Sequence, residues 1–380
     1  MPDAAHVMSW PPFRGWTARI SFFLAFPLSL RSISMTFLRR RNAIVAMAAL
    51  GAATLAGSAL AQQTVTLRLH QFLPPTAPIP ALAIVPWAKK VEAESGGRIK
   101  VQLFHSMSMG GSPPQLFDQV RDGVVDISWT VLGYTPGRFN KAEVFELPFM
   151  SGKAEPASRA FHEFVEKHAA DEFKDVKLLA AHTHGPGLFH TKEPLTKLED
   201  LKGKKVRGGS RVISSMLLKL GATPVGMPVP AVTEAMTKGV IQGTTIPWEV
   251  VPSLKIAEIV KNHTTFSGPQ GLFTQTFALT MNRNSYDKLP ADLKKVIDAN
   301  SGVETAALFG RAMDEGDRMG LASATKLGNK VVTLDAAETK RWQATAAAVE
   351  ADWVKEVQAK NIDGAKLVSE ARALLAKHSK

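Results

Sequence analysis

Thr64-Val65-Thr66-Leu67-Arg68-Leu69-His70 alternates polar and apolar side chains, the period of a strand with one buried face. Ile99-Lys100-Val101-Gln102-Leu103-Phe104 repeats the pattern, and Val124-Val125-Asp126-Ile127-Ser128-Trp129 supplies a third strand. Between the first two, a loop with Pro74, Pro75, Pro78 and Pro80 leads into a helix over Ala81–Ser95, ended by Gly96-Gly97. A second helix, from Gln115 to Asp122, precedes the third strand. Strands separated by helices of about ten to fifteen residues predict βαβ units and a parallel sheet with helices on both faces. The pattern restarts after a helix over Glu155–Lys174. Strands are expected at Lys177–Thr183, Lys204–Arg207, Ala222–Pro228 and Val240–Ile246, with helices at Ser210–Leu220 and Val232–Lys238. Thr274–Met281 reads as a strand crossing back to the first half. From Asp287 the chain is helical almost throughout, broken near Gly328–Thr333 by a short extended piece; Leu289, Leu293, Val296 and Ile297 share one helix face. The expected fold class is α/β and bilobed: two α/β lobes with strand crossovers and a helical C-terminal third. The expected site is the cleft between the lobes. One lobe is assigned to 63–184 plus 272–312, the other to 185–271 plus 313–380.

Composition narrows the functional classes. Of the 380 residues, 45% are hydrophobic and 21% charged, which are globular values and exclude a disordered, collagen-like or polytopic membrane chain. The net charge is +12, but no Lys/Arg run is long enough to argue for nucleic acid. There is no cysteine, which excludes thiol catalysis, cysteine-bound zinc, iron–sulfur clusters, disulfides and a lipid anchor through an N-terminal cysteine.

Arg39-Arg40-Arg41 is followed by the small apolar run Ala43–Leu50 and by Ser58-Ala59-Leu60-Ala61. A charged segment, an apolar segment and an A-x-A site are the parts of a secretory signal, here of the Sec type with cleavage after Ala61. The stretch from Asn42 to Ala61 is long enough for a membrane anchor, but it is Ala/Gly-rich and closes on a cleavage site. Residues 1–61 are read as leader, with Met35 as a possible start. The mature chain is then expected in the periplasm.

Leu201-Lys202-Gly203-Lys204-Lys205-Val206-Arg207, then Leu220–Pro228 (LGATPVGMP), Val232–Met236 (VTEAM) and Gly239–Pro247 (GVIQGTTIP) form an ordered set of motifs. Asp122–Ile127, Leu147-Pro148-Phe149 and Leu289–Lys295 extend it. The set closely resembles the periplasmic substrate-binding subunit of TRAP transporters, the DctP type, over essentially 63–375. The resemblance implies a receptor that captures a small organic acid and delivers it to a small and a large membrane subunit. It implies neither an enzyme nor a cofactor, and the chain is expected to be monomeric. It also implies that Arg207 pairs with the ligand carboxylate. Chemistry agrees, because a guanidinium presents a planar fork of donors that stays charged at physiological pH. The other reading of Arg207 is a solvated arginine on an edge strand.

The sequence departs from the family where many members carry a second Arg, here Gly187, and where an Asn often precedes the Pro of the later motif, here Ile246. One cation fewer and one amide fewer argue against a dicarboxylate or a sugar acid. Space and apolar surface at Gly187 and Ile246, with Trp129, Phe189 and Trp248 lining the slot, suit a monocarboxylate with an apolar or aromatic body. Core packing is the competing use of each aromatic. His70 and Gln71 end the first strand and either donate to the ligand or cap the following loop. Ser210 is read as a helix N-cap or a ligand contact, and both can hold.

His182, His184 and His190 would be the residues of a metal site, and an exported metal-assisted hydrolase using His182 and His184 is the rival function. No carboxylate falls at a spacing that completes the set, so no metal is assigned. A second rival is a receptor of the same fold that feeds a sensor kinase. Met107–Ser112 is glycine-rich but lacks the Gly-Lys-Ser/Thr ending of a phosphate loop, and G-x-S-x-G and H-E-x-x-H are absent.

Overall fold

Alternation and β-branched runs become eleven strands in the computed structural model, which describes residues 64–379. They are Val65–His70 (β1), Ile99–Phe104 (β2), Ile127–Val131 (β3), Val176–Thr183 (β4), Leu188–Thr191 (β5), Lys205–Gly208 (β6), Thr223–Gly226 (β7), Gly243–Ile246 (β8), Asn262–Phe266 (β9), Thr276–Asn282 (β10) and Lys330–Leu334 (β11). The expected leader, 1–61, lies outside the described residues. No helix among the described residues is long and apolar enough to cross a membrane.

The strands form two sheets, in the orders β2-β1-β3-β10-β4 and β11-β9-β5-β8-β6-β7. Both are mixed rather than parallel. In the first, β1 runs parallel to β2 and β3, while β10 lies antiparallel between β3 and β4. In the second, β5 is antiparallel to both β8 and β9. The antiparallel strand in the first sheet is the expected return, Thr274–Met281, observed at Thr276–Asn282. The third strand begins at Ile127 rather than Val124, because Gly123 (φ 77) and the residues after it are still turning out of the helix Leu116–Arg121.

Helices cover the sheets. The one over Val85–Glu94 is preceded by a π-helical turn, Pro80–Ile84, and ends before Gly96 (φ 62) and Gly97 (φ 78). Ala154–His168 packs on β4, and the 24-residue helix Val303–Lys326 packs on both. The assignment of 313–380 to the second lobe does not hold at its end. Helix Gly364–His378 lies against Ala154–His168, with Lys377 and His378 bonded to Glu163 at 2.8 Å each, so the chain returns to the first lobe.

Side-chain parity sorts the core into two apolar clusters, one on each face, and each continues from one sheet into the other. Trp129, Val131, Phe277, Leu188 and Ile246 belong to one cluster; Ala278, Phe189, Val206 and Trp342 belong to the other.

Candidate functional site

Arg207 stands on β6 and its side chain is 0% exposed. In the register of β6 with β8 it lies beside Thr244, two residues from Ile246, and so shares the face of Ile246. Its Nε–H donates to the Met227 carbonyl (2.9 Å), one Nη1–H to the Thr245 carbonyl (3.1 Å) and one Nη2–H to the Tyr134 hydroxyl (3.5 Å). Of the five N–H donors of a guanidinium, that leaves one on each terminal nitrogen. No carboxylate compensates the charge among the described residues, and desolvation lowers its pKa. A buried cation without a counter-ion is costly unless a charged partner arrives.

Two further donors stand beside it. The Tyr134 oxygen accepts from Arg207 and from the Val229 N–H (2.9 Å), and its own proton has no acceptor among the described residues. The buried amide nitrogen of Gln275 has no partner either. Its side chain crosses to the second lobe and rests on Gly209, where a Cβ would overlap it. Arg207, Tyr134 and Gln275 together offer donors and lack an acceptor, which is the polarity a carboxylate requires.

Tyr134 and Gln275 open onto a narrow slot between the sheets. One wall is a stack in which the Trp129 ring lies 4.8 Å from Phe72 at 17° and 5.2 Å from Phe277 at 8°. Val131, Val229, Ile246, Val250 and Met313 make the rest largely apolar. His184 and Glu249 are the titratable groups that face it besides Tyr134. Burial and the nearby Arg207 charge push His184 down to about 4, so its ring is neutral at pH 7.

Trp129 and Ile246 are thus brought together at the slot, with Arg207 behind Tyr134. Other expected residues are placed elsewhere. Phe189 pairs with Thr245 in the β5–β8 register and so takes the face opposite Ile246; it packs against Trp342 (5.5 Å) and Phe266 (6.5 Å) in the core. Trp248 turns away from the slot onto His190 (5.1 Å) and His263 (4.8 Å). Gly187 leaves no open space, because its missing Cβ position is filled by the Phe273 ring. His70 does not reach the ligand region; its Nδ1 meets Gln119 Oε1 (2.8 Å) and its Nε2 accepts from Met109 N–H (3.3 Å). Gln71 caps its own loop, accepting from the Leu73 N–H and donating to the Leu73 carbonyl (2.7 Å). Ser210 is the N-cap of helix Arg211–Lys219, its hydroxyl accepting from Ile213 N–H (3.3 Å).

The histidines do not form a metal centre. His182 Nε2 accepts the Trp129 indole N–H (2.8 Å), and its Nδ1 faces the Thr183 carbonyl (3.3 Å). His184 Nε2 accepts the Gln275 N–H (3.1 Å), and its Nδ1 donates to the Gly185 carbonyl (2.6 Å). His190 meets His263 (2.7 Å). Each ring of the His182/His184 pair already uses both nitrogens, which leaves no lone pair for a metal. Among the described residues, no group of three or more His, Asp or Glu side chains is arranged to hold an ion.

Sequence reasoning missed Phe72, Tyr134, Gln275 and Phe277. Phe72 directly follows His70-Gln71, and Gln275-x-Phe277 opens the return strand, so the signal was the site-facing parity of elements already identified.

The model of the bacterial extracellular solute-binding protein family 7, DctP, matches residues 70–356. A TRAP solute-binding protein from Rhodoferax ferrireducens T118, solved with copurified benzoate, is 48% identical with a TM-score of 0.82, over 83% of this chain and 99% of that one. A marine-metagenome TRAP protein specific for aromatic acid ligands, solved with 3-hydroxybenzoate, is 47% identical with a TM-score of 0.83, over 84% and 100%. A TRAP protein from Bordetella bronchiseptica with bound (R)- and (S)-mandelate is 31% identical with a TM-score of 0.76, over 82% and 99%. In fold, ordered motifs and whole-length likeness, the chain belongs to family 7 of the bacterial extracellular solute-binding proteins, the DctP-type periplasmic carboxylate receptors of TRAP transporters.

Proposed function

We propose that the ligand is an aromatic monocarboxylate, held in the slot between the lobes and passed to the small and large membrane subunits of a TRAP transporter. One observation carries this reading: the donor set of Arg207, Tyr134 and Gln275 lies next to stacked aromatic walls. The carboxylate takes the two spare guanidinium N–H groups in a fork, with Tyr134 and Gln275 donating to its remaining lone pairs. The ring lies along the Trp129 stack. The relatives that bind benzoate, 3-hydroxybenzoate and mandelate support the same class of ligand. A dicarboxylate would bring a second charge into a slot whose other titratable side chains are a neutral imidazole and a carboxyl. The receptor works as a monomer, without turnover, after export through the 39–61 signal.

Closure follows from ligand binding only to the extent that the ligand prefers the closed form. Micromolar affinity corresponds to about −8 kcal/mol, within reach of one desolvated Arg pair and a buried ring. A thermal-shift series tests the assignment. At about 100 times Kd a ligand stabilises by about 2.7 kcal/mol, a clear rise in melting temperature. Benzoate, 3-hydroxybenzoate and mandelate are expected to give it and succinate is not. A series in which succinate shifts the protein and no aromatic acid does would reverse the assignment.

A further inference from the structure

Different elements hold Arg207 and Glu249. Arg207 is tied to β8 and Tyr134, whereas Glu249 is held by the loop at Pro78–Ile79 and by helix Val303–Lys326. Its backbone N–H donates to Asp317 Oδ1 (2.7 Å), and its side-chain stem lies against Gly316. The carboxyl lines the slot, the residue is 3% exposed, and Oε1 has no hydrogen-bond partner among the described residues. No cation lies within ion-pair distance of it among the described residues. The Ile79 N–H faces the carboxyl, and Asp317 is the titratable group nearby on the packed helix, its own pKa pushed well up by burial. Burial raises the Glu249 pKa to about 7, and the Ile79 N–H leaves Oε1 without a partner among the described residues.

A buried acceptor left open in a ligand cavity asks for a neutral donor from the ligand. A bare aromatic ring cannot supply one, and a second carboxylate would be repelled by the ionised form. We propose that Glu249 accepts a hydrogen bond from a hydroxyl on the ligand ring, making the slot selective for hydroxylated aromatic monocarboxylates over the unsubstituted acid. The inference rests on the aromatic-acid reading given above. It assigns the two ends of the slot opposite tasks: donors for the carboxylate, an acceptor for the ring substituent. Sites built to bond a ligand hydroxyl reject the analogue lacking it, because the protein group is then left buried and unpaired.

Calorimetry on the purified protein with benzoate and 2-, 3- and 4-hydroxybenzoate tests it. At least one of the 3- and 4-hydroxy isomers should bind about tenfold or more tighter than benzoate, the effect of a hydrogen bond to a charged or partly charged group. The 2-hydroxy isomer should gain nothing, since its hydroxyl lies beside the carboxylate at the Arg207 end. Glu249→Met should bring all four ligands to within about threefold of one another, and Glu249→Gln should fall between. Wild-type protein that binds benzoate as tightly as both hydroxy isomers overturns the inference without any variant. A preference that survives in Glu249→Met overturns it too. Benzoate binding without discrimination sinks this inference alone; failure of all four acids to bind sinks the aromatic reading with it.

Discussion

Arg207 is held by two backbone carbonyls and a phenol, none of which carries a charge to offset its own. The guanidinium therefore costs stability in the empty protein, and a carboxylate docked as proposed would recover it. Two consequences separate binding from folding. Arg207→Met keeps the apolar stem, so melting of the unliganded protein should change by only a few degrees. Binding of benzoate should weaken by about 100-fold or more, in line with truncating one partner of a buried charge pair. Arg207→Lys keeps the charge but loses the planar fork, and should fall nearly as far because a point charge cannot give the bidentate geometry. A thermal melt reads the effect on folding and calorimetry the effect on binding. Unchanged affinity in both variants would remove Arg207 from the site.

This arginine stands out in the sequence because an ordered set of motifs surrounds it, whereas Tyr134 beside it does not. Tyr134 sits in a short 3-10 turn, Leu132–Tyr134, after β3, and no alternation marks such a turn. Phe189 shows the limit most clearly. The sequence places it near Ile246 in a loop, but it lies on a four-residue strand, and one step in register decides which face it takes.

At the scale of elements, the sequence reading marks Thr64–His70 by its contrast of apolar and polar positions, and Ile127–Val131 and Thr276–Asn282, which are buried throughout, by their apolar content. The two it missed, Leu188–Thr191 and Asn262–Phe266, have no such contrast because their polar side chains are buried and bonded within the fold. Asn262 donates to the Lys192 carbonyl (2.8 Å), Thr264 to the Leu195 carbonyl (2.8 Å), and His263 meets His190 (2.7 Å). Periodicity cannot see a polar residue whose partner is a distant carbonyl. Gly187, just before the first of these strands, carries the element-scale prediction. The sequence suggests that the missing family arginine leaves a gap, but Phe273 fills it and the Gly187 N–H donates to the Phe273 carbonyl (2.8 Å). Gly187→Ala should therefore destabilise by about 1–3 kcal/mol through overpacking. Gly187→Arg should destabilise further without converting the receptor to dicarboxylates. Urea unfolding and a succinate titration check the pair; a stable arginine variant that binds succinate would show that the space is open after all.

Across the whole molecule, burial determines how stability answers to pH. Desolvation pushes Glu146, Glu172 and Glu249 each up to about 7, and pushes the imidazoles of His182, His184 and His263 down to about 3, 4 and 4. The carboxyls hold a proton in the folded state that the unfolded chain has lost, so their contribution is full below about 4.5 and disappears as pH rises through about 7. The imidazoles do the reverse. The unfolded chain protonates them below about 6.5 while the fold keeps them neutral, so their contribution drains away as pH falls from about 6.5 towards 3. Between about 4.5 and 6.5 the two sets oppose each other, and the melting temperature of the unliganded protein should be nearly flat. Below that window the carboxyl contribution is constant and every remaining change is adverse. Glu163, held down to about 2 chiefly by Lys167 and then by Lys377 and His378, adds to the loss as it protonates. A slight rise in melting temperature from pH 8 to 6.5, a plateau, and a steep fall below about 4.5 is the expected profile. Glu146→Gln isolates one carboxyl. Its Oε1 analogue still accepts from the Thr276 N–H and hydroxyl, at 3.1 and 2.8 Å in the native site, so the packing is kept and only the titration is removed. The variant should lose about a third of the rise between pH 8 and 6.5, since Glu172 and Glu249 still titrate near 7, and its acid fall should begin nearer 6.5, because one fewer carboxyl then offsets the imidazoles. Scanning calorimetry across pH 4–8 reads both limbs. A wild-type melting temperature that climbs steadily from pH 5 to 8 would mean that these carboxyls are ionised and solvated, and that the two lobes do not seal the interior as described.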